Sequence, residues 1–104
     1  MTVPPMPAMR ELLLIGGGHA HAQVLRAWAR MPVPGVRLTL VSPQPLAPYS
    51  GMVPGWLAGH YDHREACLDL PALAAAAGAR WCTDELAALD PDARSARLAG
   101  GERL

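Results

Sequence analysis

The chain has no phenylalanine, only three tryptophans and two tyrosines, and only two cysteines in 104 residues. So few aromatic side chains give no row of stacking platforms for single-stranded nucleic acid. Nine basic residues balance nine acidic ones, so nothing draws the chain electrostatically to nucleic acid or to an anionic membrane. No apolar run approaches the roughly 20 residues of a transmembrane segment. The N-terminal "MTVPPMPAMR" is short and proline-rich. It lacks the basic region and long apolar stretch of a secretion signal, and residues 1–9 read as a disordered lead. Cys67 and Cys82 suit a reducing, cytoplasmic setting rather than a disulfide scaffold. What the chain does have is apolar residues, 51% by count. That is enough for the core of one small domain, or of part of a larger one.

The pattern along the chain is α/β. Glu11–Ile15 is a continuous apolar run ended by glycines, which predicts a strand buried on both faces, as in a parallel sheet. Ala20, Val24, Ala27, Trp28 and Met31 then recur at helical spacing and predict one apolar stripe, with Trp28 in the core. "MPVPG" (31–35) ends that helix. Val36–Ser42, "VRLTLVS", predicts a second strand, completing a βαβ unit with a right-handed crossover.

Residues 43–61 hold many prolines and glycines and read as a loop with a short helix near 51–59. The prolines of "PQPLAP" fit that loop better than a polyproline ligand. "DLPALAAAAGAR" (69–80) predicts a helix, with Pro71 in its first turn and Gly78 at its C-terminal cap. Ala79–Thr83 reads as a third strand. "ELAALDPDARSARLAGG" reads as two strands around an Asp90-Pro91-Asp92 turn. The expected fold is a Rossmann-like βαβ with a parallel sheet and a β-hairpin or meander appended. After the turn at Gly100-Gly101 a returning strand would need several more residues to pair. The chain therefore reads as a truncated, N-terminal fragment, with residues 10–104 forming part of one domain. Exposed sheet edges in such a fragment invite a homodimer or a swapped arrangement.

The chemistry centres on "LLLIGGGHAHAQVLR". Gly16 and Gly18 fill the first two places of G-x-G-x-x-G at a strand-to-helix junction. The first glycine permits the tight turn, and the second lets a pyrophosphate approach the backbone. The helix N-terminus offers N–H groups and a positive dipole end. Two departures stand beside this. His21 occupies the third glycine's place, where helix and strand normally close; it reads as a packing residue, hydrogen-bonded to a neighbouring segment, with its ring expected to turn away from the strand. Ser42 stands where an acidic ribose ligand usually lies, about 20 residues on. Two readings remain open on the residues alone: dinucleotide binding, and a tight glycine turn in an α/β domain without ligand.

The four histidines raise a zinc site, but His19 and His21 point about 200° apart around a helix, and no metal is expected. His19 either contacts phosphate or faces solvent. Trp56 and Tyr49 either line a pocket or anchor a surface loop. Asp90, Asp92 and Arg94 read as turn residues, not as an acid–base pair.

Together, "LLLIGGGHAHAQVLR", "GVRLTLVSP" and "PYSGMVPGWLAGHY" resemble the N-terminal FAD-binding region of the pyridine nucleotide-disulfide oxidoreductase superfamily. The resembling branch is that of the NADH-dehydrogenase-like flavoproteins, including the module fused to selenide, water dikinase. It covers about residues 10–104, and "PYSGMVPG" is its most specific part. The resemblance implies an NAD(P)H-dependent FAD oxidoreductase. Gly16, Gly17, Gly18, His19 and Ala20 would face the FAD pyrophosphate. Ser42 would replace the acidic ribose ligand, with Pro43 beside it. Tyr49, Ser50, Gly51 and Met52 would lie toward the flavin, and Leu86 would meet the adenine through its backbone.

NAD(P)H, the co-substrate, would bind a second domain absent from this chain, so the fragment alone would be inactive. The two cysteines are 15 residues apart, unlike the close pair of a disulfide reductase, so the small-molecule electron acceptor is expected to be quinone-like. The alternative is a non-catalytic nucleotide-binding or assembly module with the same fold.

Overall fold

A computed structural model describes residues 10–48, 52–60, 62 and 67–104; the lead expected over residues 1–9 lies outside them. Strand β1 (Arg10–Ile15), helix α1 (His19–Arg30) and strand β2 (Val36–Ser42) form the expected βαβ unit. β1 and β2 pair in parallel from Arg10↔Val36 to Ile15↔Val41. Strand β3 (Leu46–Pro48), helix α2 (Val53–Leu57), strand β4 (Cys67–Asp69), helix α3 (Leu70–Ala76) and strand β5 (Arg80–Thr83) follow. β5 pairs in parallel with β2, so the main sheet has the order β1-β2-β5. Among the described residues no helix is long and apolar enough to cross a membrane.

The strand buried on both faces is β2, not β1. Leu38 through Ser42 are all buried, because β2 has a neighbour on each side. β1 lies at an edge of this sheet, and its Leu12 is 40% exposed. A continuous apolar run marks a strand without saying which strand takes the centre.

Alternation along the strands sorts two apolar clusters onto the two faces. Leu14, Leu38 and Leu40 pack with Leu25 of α1 and with Leu70 and Ala77 from the α3 region, flanked by Trp28 and Trp81. Val41 and Cys82 pack with Leu98, flanked by Leu13, Ile15 and Leu104. Helices thus cover one face, and the C-terminal strands cover the other.

The predicted stripe on α1 is also corrected. Ala22 and Leu25 are fully buried and Val24 and Trp28 partly so, whereas Ala20 and Ala27 face solvent and Met31 is 80% exposed. The buried face is centred on Leu25, about 120–160° around the helix from Ala20, Ala27 and Met31. Alanines and a terminal methionine fit either side of a helix, so spacing alone did not orient it.

α3 is built as its sequence suggests. The Asp69 carboxylate accepts a hydrogen bond from the Ala72 N–H at 3.1 Å, and Pro71 sits in the first turn. At the other end Gly78 has φ +67. Gly78 N–H donates to the Ala75 carbonyl and Ala79 N–H to the Ala74 carbonyl, the paired bonds of a Schellman cap. Replacing Asp69 by alanine is expected to destabilise the chain by about 1 kcal/mol, read from urea denaturation. An unchanged midpoint would show that the carboxylate does not cap α3.

Two further differences appear around the helices. The loop expected over 43–61 holds α2, as foreseen near 51–59, but its start also forms β3, paired antiparallel with β4 from Leu46↔Asp69 to Pro48↔Cys67. Loop-forming prolines hid a short ladder whose partner is about 20 residues away. Strands β6 (Leu86–Asp90) and β7 (Ser95–Leu98) form the expected hairpin. The chain then returns within its own length. Ala96 and Leu104 exchange hydrogen bonds at 2.8 Å each way, and Leu98 N–H donates to the Glu102 carbonyl. The returning strand expected to need several more residues therefore already pairs with β7.

Candidate functional site

The site begins where β1 ends. Gly16 has φ +97, a conformation that side chains resist, and its N–H donates to the Val41 carbonyl at 2.7 Å. That bond ties the turn to β2. Gly18 is the N-cap of α1; no side chain caps this helix end, and no acidic residue lies in its first turn. The first-turn N–H groups and the positive end of the dipole are therefore not opposed by a local carboxylate. His19 and Ala20, the first two helical residues, are exposed beside the turn, and His19 lies 3.3 Å from the Gln23 amide nitrogen.

The three glycines differ in what surrounds them. A Cβ at Gly17 would lie 2.4 Å from Leu70 Cδ1 and 2.9 Å from Ser42 Oγ, whereas one at Gly18 would meet nothing within 4 Å. Gly17 is the packing glycine of the run. The open side of Gly18 is free for a ligand to approach the backbone, as its place in the fingerprint requires.

Next to Gly17 lies a cleft of about 230 Å³ lined by Gly17, Ser42, Pro43, Gln44, Leu46, Ala47 and Leu70. It brings together three of the sequence-derived candidates: Gly17, Ser42 and Pro43. Ser42 is buried, and its hydroxyl donates to the Gln44 carbonyl at 3.0 Å. The same oxygen accepts from the Gln44 N–H at 3.4 Å, so the hydroxyl holds the loop and keeps one acceptor lone pair.

Other candidates fall elsewhere. Met52 is half-buried at the start of α2 and Leu86 opens β6, and neither lines this cleft. Tyr49, Ser50 and Gly51 lie outside the described residues, as does His63. Leu46, Ala47, Gln44 and Leu70 were not foreseen. Leu46 and Ala47 reach the cleft through the β3–β4 ladder, and no local signal places the first residue of α3 against a glycine 53 positions earlier.

His21 is the packing residue bonded to a neighbouring segment that one reading of the sequence expects: Nδ1 lies 2.6 Å from the Gly16 carbonyl oxygen, and the residue is half-buried. The expected turn of its ring away from the end of β1 is not found. The glycine normally found here has no side chain and serves close packing. The histidine instead folds back over the turn, where a carbonyl gives its ring a partner.

The cysteines stand apart. Cys67 is in β4 and Cys82 in β5, and neither is in a disulfide. Burial pushes the Cys82 thiol up from its ordinary value, with Arg80 partly opposing. Among the described residues no group of three or more His, Cys, Asp or Glu side chains could hold a metal ion.

Two solved structures share this architecture. The chain superposes on sulfide:quinone oxidoreductase from the hyperthermophilic bacterium Aquifex aeolicus with a TM-score of 0.75 and 21% identity, over 91% of this chain and 22% of that one. On putidaredoxin reductase, in its covalent complex with putidaredoxin, the TM-score is 0.64 and the identity 19%, over 93% of this chain and 23% of the other. The chain shares its fold with a segment of each of these two structures. Within this Rossmann-like fold, the glycine turn sits at the end of β1, beside the cleft. The chain spans less than a quarter of either of these two structures. No protein-family model matches it, and no curated protein does.

Proposed function

We propose that this chain is the FAD-binding portion of an NAD(P)H-dependent flavoprotein oxidoreductase. One observation carries the proposal. A glycine turn with Gly16 at positive φ leads into a helix N-terminus without side-chain cap or acid, with the Gly18 side open, in a fold shared with two oxidoreductases. Gly16, Gly17, Gly18, His19 and Ala20 would hold the pyrophosphate. Ser42 and Pro43 would border the ribose, and Leu86 the adenine. Tyr49, Ser50, Gly51 and Met52 would lie toward the flavin. The lining fits this group: it is uncharged, largely apolar, and adjacent to a positive helix end. FAD, when bound, supplies the redox step between NAD(P)H and the acceptor. NAD(P)H would bind a domain outside these 104 residues.

A quinone-like acceptor is favoured over a disulfide. The two cysteines lie in separate sheets, and a thiol raised by burial is a poor nucleophile at neutral pH. The quinone in the name of the Aquifex aeolicus enzyme points the same way. A non-catalytic nucleotide-binding module is the second reading. It is favoured by Ser42 itself, whose hydroxyl, tied to Gln44, stands where a carboxylate usually binds the ribose.

Calorimetric titration of the chain with FAD tests the proposal. Weak saturable binding is expected, with the flavin lost on gel filtration, and a longer protein carrying this chain should be yellow. No binding heat together with a colourless longer protein that takes up no added FAD would overturn it. Tight stoichiometric FAD on the 104 residues would show instead that the whole cofactor site lies in this chain.

A further inference from the structure

We infer that His21 is a positioning residue: it latches the glycine turn in the shape that presents its amides to a phosphate. The latch follows from the geometry of the turn, and the identity of its ligand rests on the flavoprotein proposal above. A carbonyl oxygen only accepts, so at 2.6 Å from Gly16 O the Nδ1 of His21 carries the proton. The Gly16 N–H is held in turn by the Val41 carbonyl at 2.7 Å. Both polar groups of a residue at φ +97 are therefore fixed, one by the neighbouring strand and one by the first turn of the following helix.

The consequence passes along the backbone. In a trans peptide the C=O of residue 16 and the N–H of residue 17 point opposite ways. Clamping the Gly16 carbonyl toward the ring sets the Gly17 N–H away from it. Three successive glycines carry more backbone freedom than any other tripeptide, and a ligand has to remove that freedom on binding. A hydrogen bond made before the ligand arrives removes part of it in advance. Glycine at position 21 would offer close packing but nothing to hold the carbonyl. The histidine exchanges that packing for an explicit bond.

Three substitutions separate the latch from bulk. In His21→Asn the amide nitrogen lies as many bonds from Cβ as imidazole Nδ1, so the bond can persist. His21→Leu fills similar space with no donor. His21→Gln keeps a polar side chain but places its amide one atom too far.

Long-range 15N spectroscopy of the parent ring is expected to show the proton on Nδ1. Backbone order parameters at Gly16–Gly18 should stay near about 0.85 in the parent and in His21→Asn, and fall below about 0.6 in His21→Leu. FAD affinity should weaken about tenfold in His21→Leu and stay within about threefold in His21→Asn, with each variant's thermal melt recorded to confirm folding. If His21→Leu does not fold, the order parameters of His21→Gln decide the same point. A bare Nδ1, or a folded His21→Leu with a rigid turn and parent-like affinity, overturns the inference. If the parent binds no FAD, the flavoprotein proposal fails, while the 15N and order-parameter results still decide the latch.

Discussion

Replacing Leu40 by alanine is expected to destabilise the chain by about 2–5 kcal/mol, read from the midpoint of urea denaturation. Leu40 is fully buried in β2, the middle strand, paired with Leu14 on one side and Trp81 on the other. Its side chain belongs to the cluster that joins the sheet to Leu25 of α1 and Leu70 of α3. Truncation removes transfer free energy and leaves a cavity that two strands and two helices cannot all collapse into. Small domains hold only about 5–15 kcal/mol in total, so this one change would remove much of it. Leu89, 63% exposed on β6, is the control; its change to alanine should cost no more than about 0.5 kcal/mol. Parity between the two variants would mean that β2 does not organise the core.

The second large effect separates two adjacent glycines. Gly17→Ala would put a methyl group 2.4 Å from Leu70 Cδ1 and 2.9 Å from Ser42 Oγ. Leu70 is fully buried and Ser42 nearly so, so neither can swing into solvent. Overpacking of this kind costs about 1–3 kcal/mol, and the shift would fall on the cleft itself. Gly18→Ala meets nothing within 4 Å, and its φ of −72 suits any residue. It should cost about 1 kcal/mol or less, the difference between glycine and alanine at an N-cap.

For FAD the order reverses in kind. Gly18→Ala should keep the fold yet lose about tenfold or more in affinity, because its methyl would stand where the pyrophosphate is proposed to approach. Gly17→Ala should lose both stability and affinity. Calorimetric titration beside thermal melts checks both. A folded Gly18→Ala variant with parent-like affinity would move the phosphate away from α1.

Much of this was readable from particular residues. The run at Glu11–Ile15, the glycines after it and "VRLTLVS" predicted the βαβ unit. Pro71 and Gly78 bracketed α3, and Asp90-Pro91 marked the hairpin. The misses share a cause. The burial of α1 around Leu25 rather than along Ala20, Ala27 and Met31 depends on what the helix packs against. So does the edge position of β1. The β3–β4 ladder joins segments too far apart for local pattern to pair them. That His21 packs and bonds to a neighbouring segment was readable, but its ring was expected to point away from the strand; the Gly16 carbonyl that receives it is invisible until the turn is closed.

Local chemistry in the sequence alone therefore determined the kinds of element, their order and the place of the glycine turn. Glycine, proline and apolar period act within a few residues, and those signals survive without neighbours. Only the tertiary structure decided which strand is central, which glycine packs and which stays open, that Ser42 serves its own loop, and that His21 bonds back to the strand end. Each of these depends on atoms brought together from distant parts of the chain. Burial and hydrogen bonding of that kind have no counterpart in a linear pattern.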